Sequence, residues 1–237
     1  MNKRTQGFTI VELSIAIAFI AVLLMAILSL TITAGRMYVK ADTNKAINQA
    51  GRDIADTIRR DLLSASMSTI KPVVTQDAGD AAAPLISGRL CIGAVVYVWN
   101  TAALFNSTDS AANEIKIVNA ADKPIKLVRI THPTSAFYCT PDGSGRYTTK
   151  ITDPSTELLD GDGLDYAIHS MTFTPLAKTG EKGLYSIAYT LGTNQPDTTE
   201  RSSDGYIQCK PNDSVLANFD YCSVSEFDTI ARIGGVK

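Results

Sequence analysis

From Phe8 to Leu30 the chain runs for 23 residues with a single charged side chain, Glu12, lying close to the start of the run. As a helix such a run extends about 34 Å, enough to cross the roughly 30 Å hydrocarbon core of a bilayer. An acidic residue at the middle of such a helix costs about 2.5 to 3.5 kcal/mol on insertion scales, and somewhat less near an end. A carboxylate kept in that position needs a partner.

Ahead of the run stands a short polar leader, residues 1–7, with Lys3 and Arg4 and a closing Gly7. Leader, Gly7-Phe8 junction and Glu12 together resemble the type IV pilin and type II secretion pseudopilin superfamily. The resemblance is carried by residues 1–30 and fades beyond them. It implies cleavage by a membrane aspartyl prepilin peptidase between Gly7 and Phe8 and N-methylation of Phe8, which makes Glu12 the fifth residue of the mature chain. Residue chemistry agrees with this: Gly7 offers an unhindered backbone, and Lys3 and Arg4 hold the leader on the cytoplasmic side. The mature Phe8 amine stays cationic and lies four residues from Glu12, so the two could neutralise one another within one helix. The resemblance implies instead that Glu12 meets the amine of an adjacent subunit, where a pair in low dielectric acts as a register lock.

Two plainer readings explain less. A secretory signal has an apolar core of about 7 to 15 residues and a small-residue cut site. This core is longer, and only Thr31-Ile32-Thr33-Ala34 vaguely suggests such a site. An ordinary single-pass anchor accounts for neither Glu12 nor the Gly-Phe junction.

Removal of the leader leaves 230 residues with 20 Lys+Arg against 24 Asp+Glu, a net charge of about −4. Some 200 residues then lie outside the membrane, enough for a domain with its own core, and the acidic balance argues against nucleic acid as a partner. Cys91, Cys139, Cys209 and Cys222 form an even set in a domain expected outside the cytoplasm, so disulfides are expected. Of the three connectivities the sequence-local one is Cys91–Cys139 with Cys209–Cys222, the latter resembling the stapled carboxy-terminal loop of many pilins. There is no CxxC pair to suggest zinc, and His132 and His169 stand far from the cysteines in sequence.

Ile47, Ala50, Ile54, Ile58, Leu62 and Ala65 recur at spacings of three and four, and no proline occurs before Pro72. One helix is therefore expected from Phe8 to Ser68, membrane-spanning over residues 8–30 and amphipathic over residues 31–68. Many major pilins carry a proline where this chain has Ser29. Its absence, the chain length and the Arg59–Ala65 stretch look more like a minor pilin or a larger J-type pseudopilin.

Residues 69–237 read as a β-rich domain. Lys71 to Pro84 is expected to be a loop by its Asp, Gly, Ala and Pro content. Strands are expected at Leu90–Trp99, Glu114–Val118, Ile125–Ile130, Tyr166–Ile168 with Met171–Phe173 and Tyr185–Leu191, with an exposed loop from Gly192 to Asp204; Ser223–Ile233 reads as strand or helix, the strand being preferred. The fold class is α+β, a long helix packed on an antiparallel sheet, with a pilin-like topology implied by the family.

Catalytic signals are absent from the sequence. Asp160, Asp162 and Asp165 space carboxylates like a calcium loop, as in some pseudopilins, but position twelve from Asp160 is Met171 rather than a glutamate, so an acidic turn is the better reading. His169 lies in a strand pattern and His132 precedes Pro133, and neither belongs to a Ser-His-Asp grouping. Tyr97, Trp99 and Phe105 could stack a base or sugar, yet core burial suits them better. No cofactor is expected and the chain does not read as an enzyme. The expected role is a minor structural subunit, single-pass in the cytoplasmic membrane before assembly and in a surface pilus or pseudopilus afterwards. Its expected partners are other subunits, the prepilin peptidase, the membrane and, indirectly, an assembly platform and motor. The alternatives are a tip-located adhesin or DNA-uptake subunit and a membrane-anchored surface protein.

Overall fold

The computed structural model describes residues 9–66, 69–76, 85–109, 111–131, 137–160, 163–176, 183–195, 199–202, 206–210 and 222–234. A 55-residue helix, α1 (Ile10–Ser64), opens the chain and ends at Ala65, whose extended backbone turns away while its N–H still bonds to the Leu62 carbonyl. The helix thus stops short of the expected Ser68. A five-stranded antiparallel sheet follows in chain order: β1 (Ile70–Gln76), β2 (Ile86–Ile92), β3 (Val95–Asn100), β4 (Leu127–Thr131) and β5 (Ser155–Glu157). A short helix, α2 (Ala102–Asn106), leaves β3. A second antiparallel sheet has the order β10-β7-β6, from β6 (Tyr166–Pro175), β7 (Leu184–Thr193) and β10 (Val224–Arg232). A surface ribbon pairs β8 (Thr199–Arg201) with β9 (Ile207–Cys209).

The α+β class read from the sequence is the architecture found. Ile47, Ile54, Ile58 and Leu62 lay the apolar stripe of α1 over a core shared with Leu90, Tyr97, Trp99, Leu127, Ile168, Ile187 and Leu191. Each of these aliphatic side chains, wholly buried, contributes about 1.5 to 3 kcal/mol. A parallel bridge from Thr101 to Ile168 joins the two sheets beneath the helix. The outer face of the first sheet carries a second core of Val96, Val98, Ile117, Val128, Ile130, Tyr138 and Ile151, sealed by the segment that follows β4.

Four expectations change. Leu90–Trp99 is not one strand but parts of β2 and β3, paired as a hairpin. Lys71–Gln76 is not loop but most of β1, an edge strand where Pro72 lacks only a donor that no neighbour needs, while Val73, Val74 and Thr75 favour extension. Glu114–Val118 is not a strand: a 3-10 turn covers Ala111–Glu114, and Ile117 is held by the Asn100 side chain. Asn100 accepts from the Ile117 N–H at 2.9 Å and donates to the Ile117 and Ile125 carbonyls at 2.8 Å each, replacing a ladder. Within the expected 192–204 loop, β7 persists to Thr193, Asn194 is buried, and β8 forms although its side chains have no apolar face. Met171 and Ile168 belong to one strand, β6, whose two segments are offset by a bulge at His169.

Candidate assembly site

Among the described residues none packs on the first half of α1, which is exposed throughout. Ile10, Phe19, Leu30 and Tyr38 are 87, 69, 71 and 74 % exposed, and the first buried helical residue is Thr43. No residue of the most apolar part of the helix is buried, and its length and composition suffice to cross a membrane. Three of its hydroxyls are satisfied within the helix: Ser14 donates to the Val11 carbonyl at 2.9 Å, Thr31 to Ile27 at 2.8 Å and Thr33 to Ser29 at 2.9 Å. Such back-bonding is what lets hydroxyls reside in hydrocarbon.

Glu12 stands in the first turn. The Thr9 hydroxyl accepts from the Glu12 N–H at 3.2 Å, and the Glu12 carboxylate accepts from the Thr9 N–H at 3.0 Å and the Thr9 hydroxyl at 2.9 Å. This reciprocal capping box satisfies helix-start donors and sets the carboxylate at the positive end of the macrodipole. The Gly7–Phe8 junction lies outside the described residues.

Beyond Thr43 the helix is locked to both sheets. Arg129, beside Tyr97 on the neighbouring strand, donates to the two Asp61 carboxylate oxygens at 2.8 and 3.0 Å, and the Tyr97 hydroxyl donates to the same carboxylate. The Asp61 carboxylate holds the Arg129 guanidinium above its ordinary pKa, while burial, then Asp61, raises the Tyr97 phenol. Towards the second sheet, Tyr189 donates to the Gly51 carbonyl and stacks on Phe227 at 5.1 Å. A Cβ on Gly51 would lie 2.1 Å from the Phe227 ring, so the bare helix surface there is what admits the aromatic pair. Arg59 donates to Thr229 at 2.6 Å, and Ser223 donates to Asn44.

Asp61, Arg129 and Gly51 were not singled out from the sequence, although Asp61 carried a signal. It lies three residues after Ile58, next to Leu62, inside the apolar stripe, where a charge needs a reason.

Cys91–Cys139 and Cys209–Cys222 are disulfides, with Cα–Cα distances of 6.3 and 5.9 Å. The first pins the outer covering segment to β2, and the second ties β9 to the approach to β10. Of the carboxylates considered for calcium, Asp160 pairs with Asp165 in an isolated bridge and Asp162 lies outside the described residues. Asp165 is already engaged, by Lys126 at 2.5 Å and Asn194 at 3.0 Å. Among the described residues no group of three or more potential metal ligands converges. His169 sits half-buried at the β6 bulge, 3.3 Å from the Thr193 carbonyl, with burial pushing its imidazole below the ordinary pKa. His132 lies outside the described residues. Tyr97 and Trp99 are fully buried, and Phe105 is half-buried under Lys126.

No protein-family profile, curated protein or solved structure matches this chain.

Proposed function

We propose that the chain is a minor structural subunit of a type IV pilus or type II secretion pseudopilus, processed at Gly7–Phe8 and assembled through its amino-terminal helix. The observation that carries this reading is the division of α1: one half is spent in the domain core, and the other is an uncovered apolar rod bearing a lone carboxylate at its tip. In a bilayer the rod is solvated by lipid, and in a filament by the rods of other subunits. Inside one chain Glu12 caps its own helix, accepting, among the described residues, donors of Thr9. The charge itself is not neutralised by those bonds, so the methylated amine of a neighbouring Phe8 remains a favourable partner. The protein then waits in the cytoplasmic membrane and ends in a surface filament.

Glu12→Ala tests the proposal when run beside Thr9→Ala. Both variants break the capping box, but only the first removes the charge. The expected outcome is that each is cleaved normally, that Thr9→Ala is recovered in sheared filaments, and that Glu12→Ala stays in the membrane fraction. Equal incorporation of Glu12→Ala and wild type would remove the main support for a filament subunit.

A further inference from the structure

Arg89 of β2 is 1 % exposed, on the outer face of the first sheet under the segment that carries Tyr147 and Thr148. It donates to the Thr148 carbonyl at 2.9 Å and to the Thr75 hydroxyl at 3.4 Å, and its guanidinium lies 5.0 Å from the Tyr147 ring centroid. Burial pushes the guanidinium down to about 10, so it is still charged at neutral pH. Among the described residues no carboxylate pairs with it, the ion pairs being made by other cations. A buried charge without a counter-charge is strongly destabilising. Two donors are also left over: Arg89 Nε and Ser87 Oγ are both buried and without a hydrogen-bond partner.

Ser87 and Arg89 are two residues apart on β2, so both side chains stand on the same face of the sheet. A water would satisfy the two donors but leave the charge.

We propose that Arg89 and Ser87 hold a small inorganic anion of chloride size, sealed beneath the Tyr147–Thr148 segment. Two donors and one net charge match one monovalent ion, whereas a phosphate would bring more acceptor oxygens than the site has donors. The assignment does not depend on the filament reading.

The test is thermal unfolding of the purified full chain in detergent, at fixed ionic strength, with chloride exchanged against gluconate or phosphate. A hundredfold rise in chloride above its dissociation constant should raise the midpoint by about 5 °C or more, since only the folded chain binds. Gluconate should give no rise, Ser87→Ala should flatten the chloride response, and Arg89→Met should abolish it. If Arg89→Met does not fold, Ser87→Ala decides alongside a bromide-exchanged crystal, in which an anomalous peak should stand beside Arg89. Equal responses to chloride and gluconate, a chloride response that survives both substitutions, or a missing bromide peak would overturn the proposal. A phosphate response as steep as that of chloride would overturn the size assignment.

Discussion

Replacing Asp61 with alanine should be among the most damaging single changes to the helix-sheet interface. The Asp61 side chain is 12 % exposed and that of Arg129 29 %, and Tyr97 is fully buried. The substitution removes a two-pronged charged contact and orphans the Tyr97 hydroxyl in the core. Breaking a buried ion pair costs about 3 to 5 kcal/mol. Arg129 can partly reach water, which favours the lower end, about 3 kcal/mol, with the orphaned phenol a large share of it. For a chain of this size that is a fall in melting temperature of about 6 to 12 °C. Trp99, the chain's one tryptophan and fully buried, supplies the fluorescence signal. A double-mutant cycle with Arg129→Met isolates the pair, and the expected coupling is about 1.5 to 3 kcal/mol. A coupling below about 0.5 kcal/mol, or an Asp61→Ala loss below about 1 kcal/mol, would refute the claim that this contact fastens the helix to the first sheet.

Gly51→Ala should destabilise the chain by about 1 to 2 kcal/mol despite a helix-propensity gain of about 1 kcal/mol, because the new methyl meets the Phe227 ring. Urea unfolding measures it, and a stability equal to or above wild type would show that the ring moves aside freely. Alkaline pH should unfold the domain cooperatively. Burial raises Tyr97, Tyr189 and Tyr138, the last to about 12, so their stabilisation is complete below the unfolded tyrosine value near 10 and is lost as pH rises through the folded values. The part of the 295 nm absorbance rise that is lost when Tyr97, Tyr138 and Tyr189 are replaced by Phe should therefore appear in step with loss of the Trp99 signal, and its appearance well ahead of unfolding would contradict the prediction. Removing the Cys209–Cys222 disulfide, which closes a loop of 14 residues, should cost about 3 kcal/mol in the chain-entropy model. A Cys209→Ser/Cys222→Ser chain melting within about 2 °C of wild type would show that the ribbon is held by its other contacts.

The parts of this fold legible in the sequence are those where one periodicity governs a whole segment. The Ile47–Leu62 stripe and the alternation of Tyr185–Leu191 each record a single buried face, and each became the expected element. The Leu90–Trp99 run concealed a hairpin, turned at Gly93 with φ +59°, because both of its strands are covered on two faces. β1 was hidden by Pro72, which is harmful in a central strand and harmless on an edge. Glu114–Val118 alternates because Asn100 holds Ile117 inward, a tertiary effect that local pattern cannot distinguish from a strand. The sharpest features of the helix-sheet contact were illegible for a related reason. Gly51 is an empty space whose purpose is the Phe227 ring 176 residues away, and Asp61 is meaningful only once β3 and β4 bring Tyr97 and Arg129 beneath it.

The continuity of α1 adds a constraint that neither half shows by itself. Intrahelical hydrogen bonding runs unbroken from Ile10 to Ser64, with no proline between the exposed rod and Thr43, where burial begins. Each residue between them fixes 100° of rotation and 1.5 Å of rise. The direction in which Glu12 leaves the rod is therefore phased to the direction in which Asp61 and Gly51 hold the sheets. In the proposed filament, a carboxylate that must find one amine also decides which face of the domain turns outward. Lengthening the helix by one residue near Gly35 would leave both the rod and the domain core intact and still turn one against the other by more than a quarter of a circle. The helix is thus the device that converts pairing at the tip into orientation at the surface, and that conversion depends on its length as much as on its side chains.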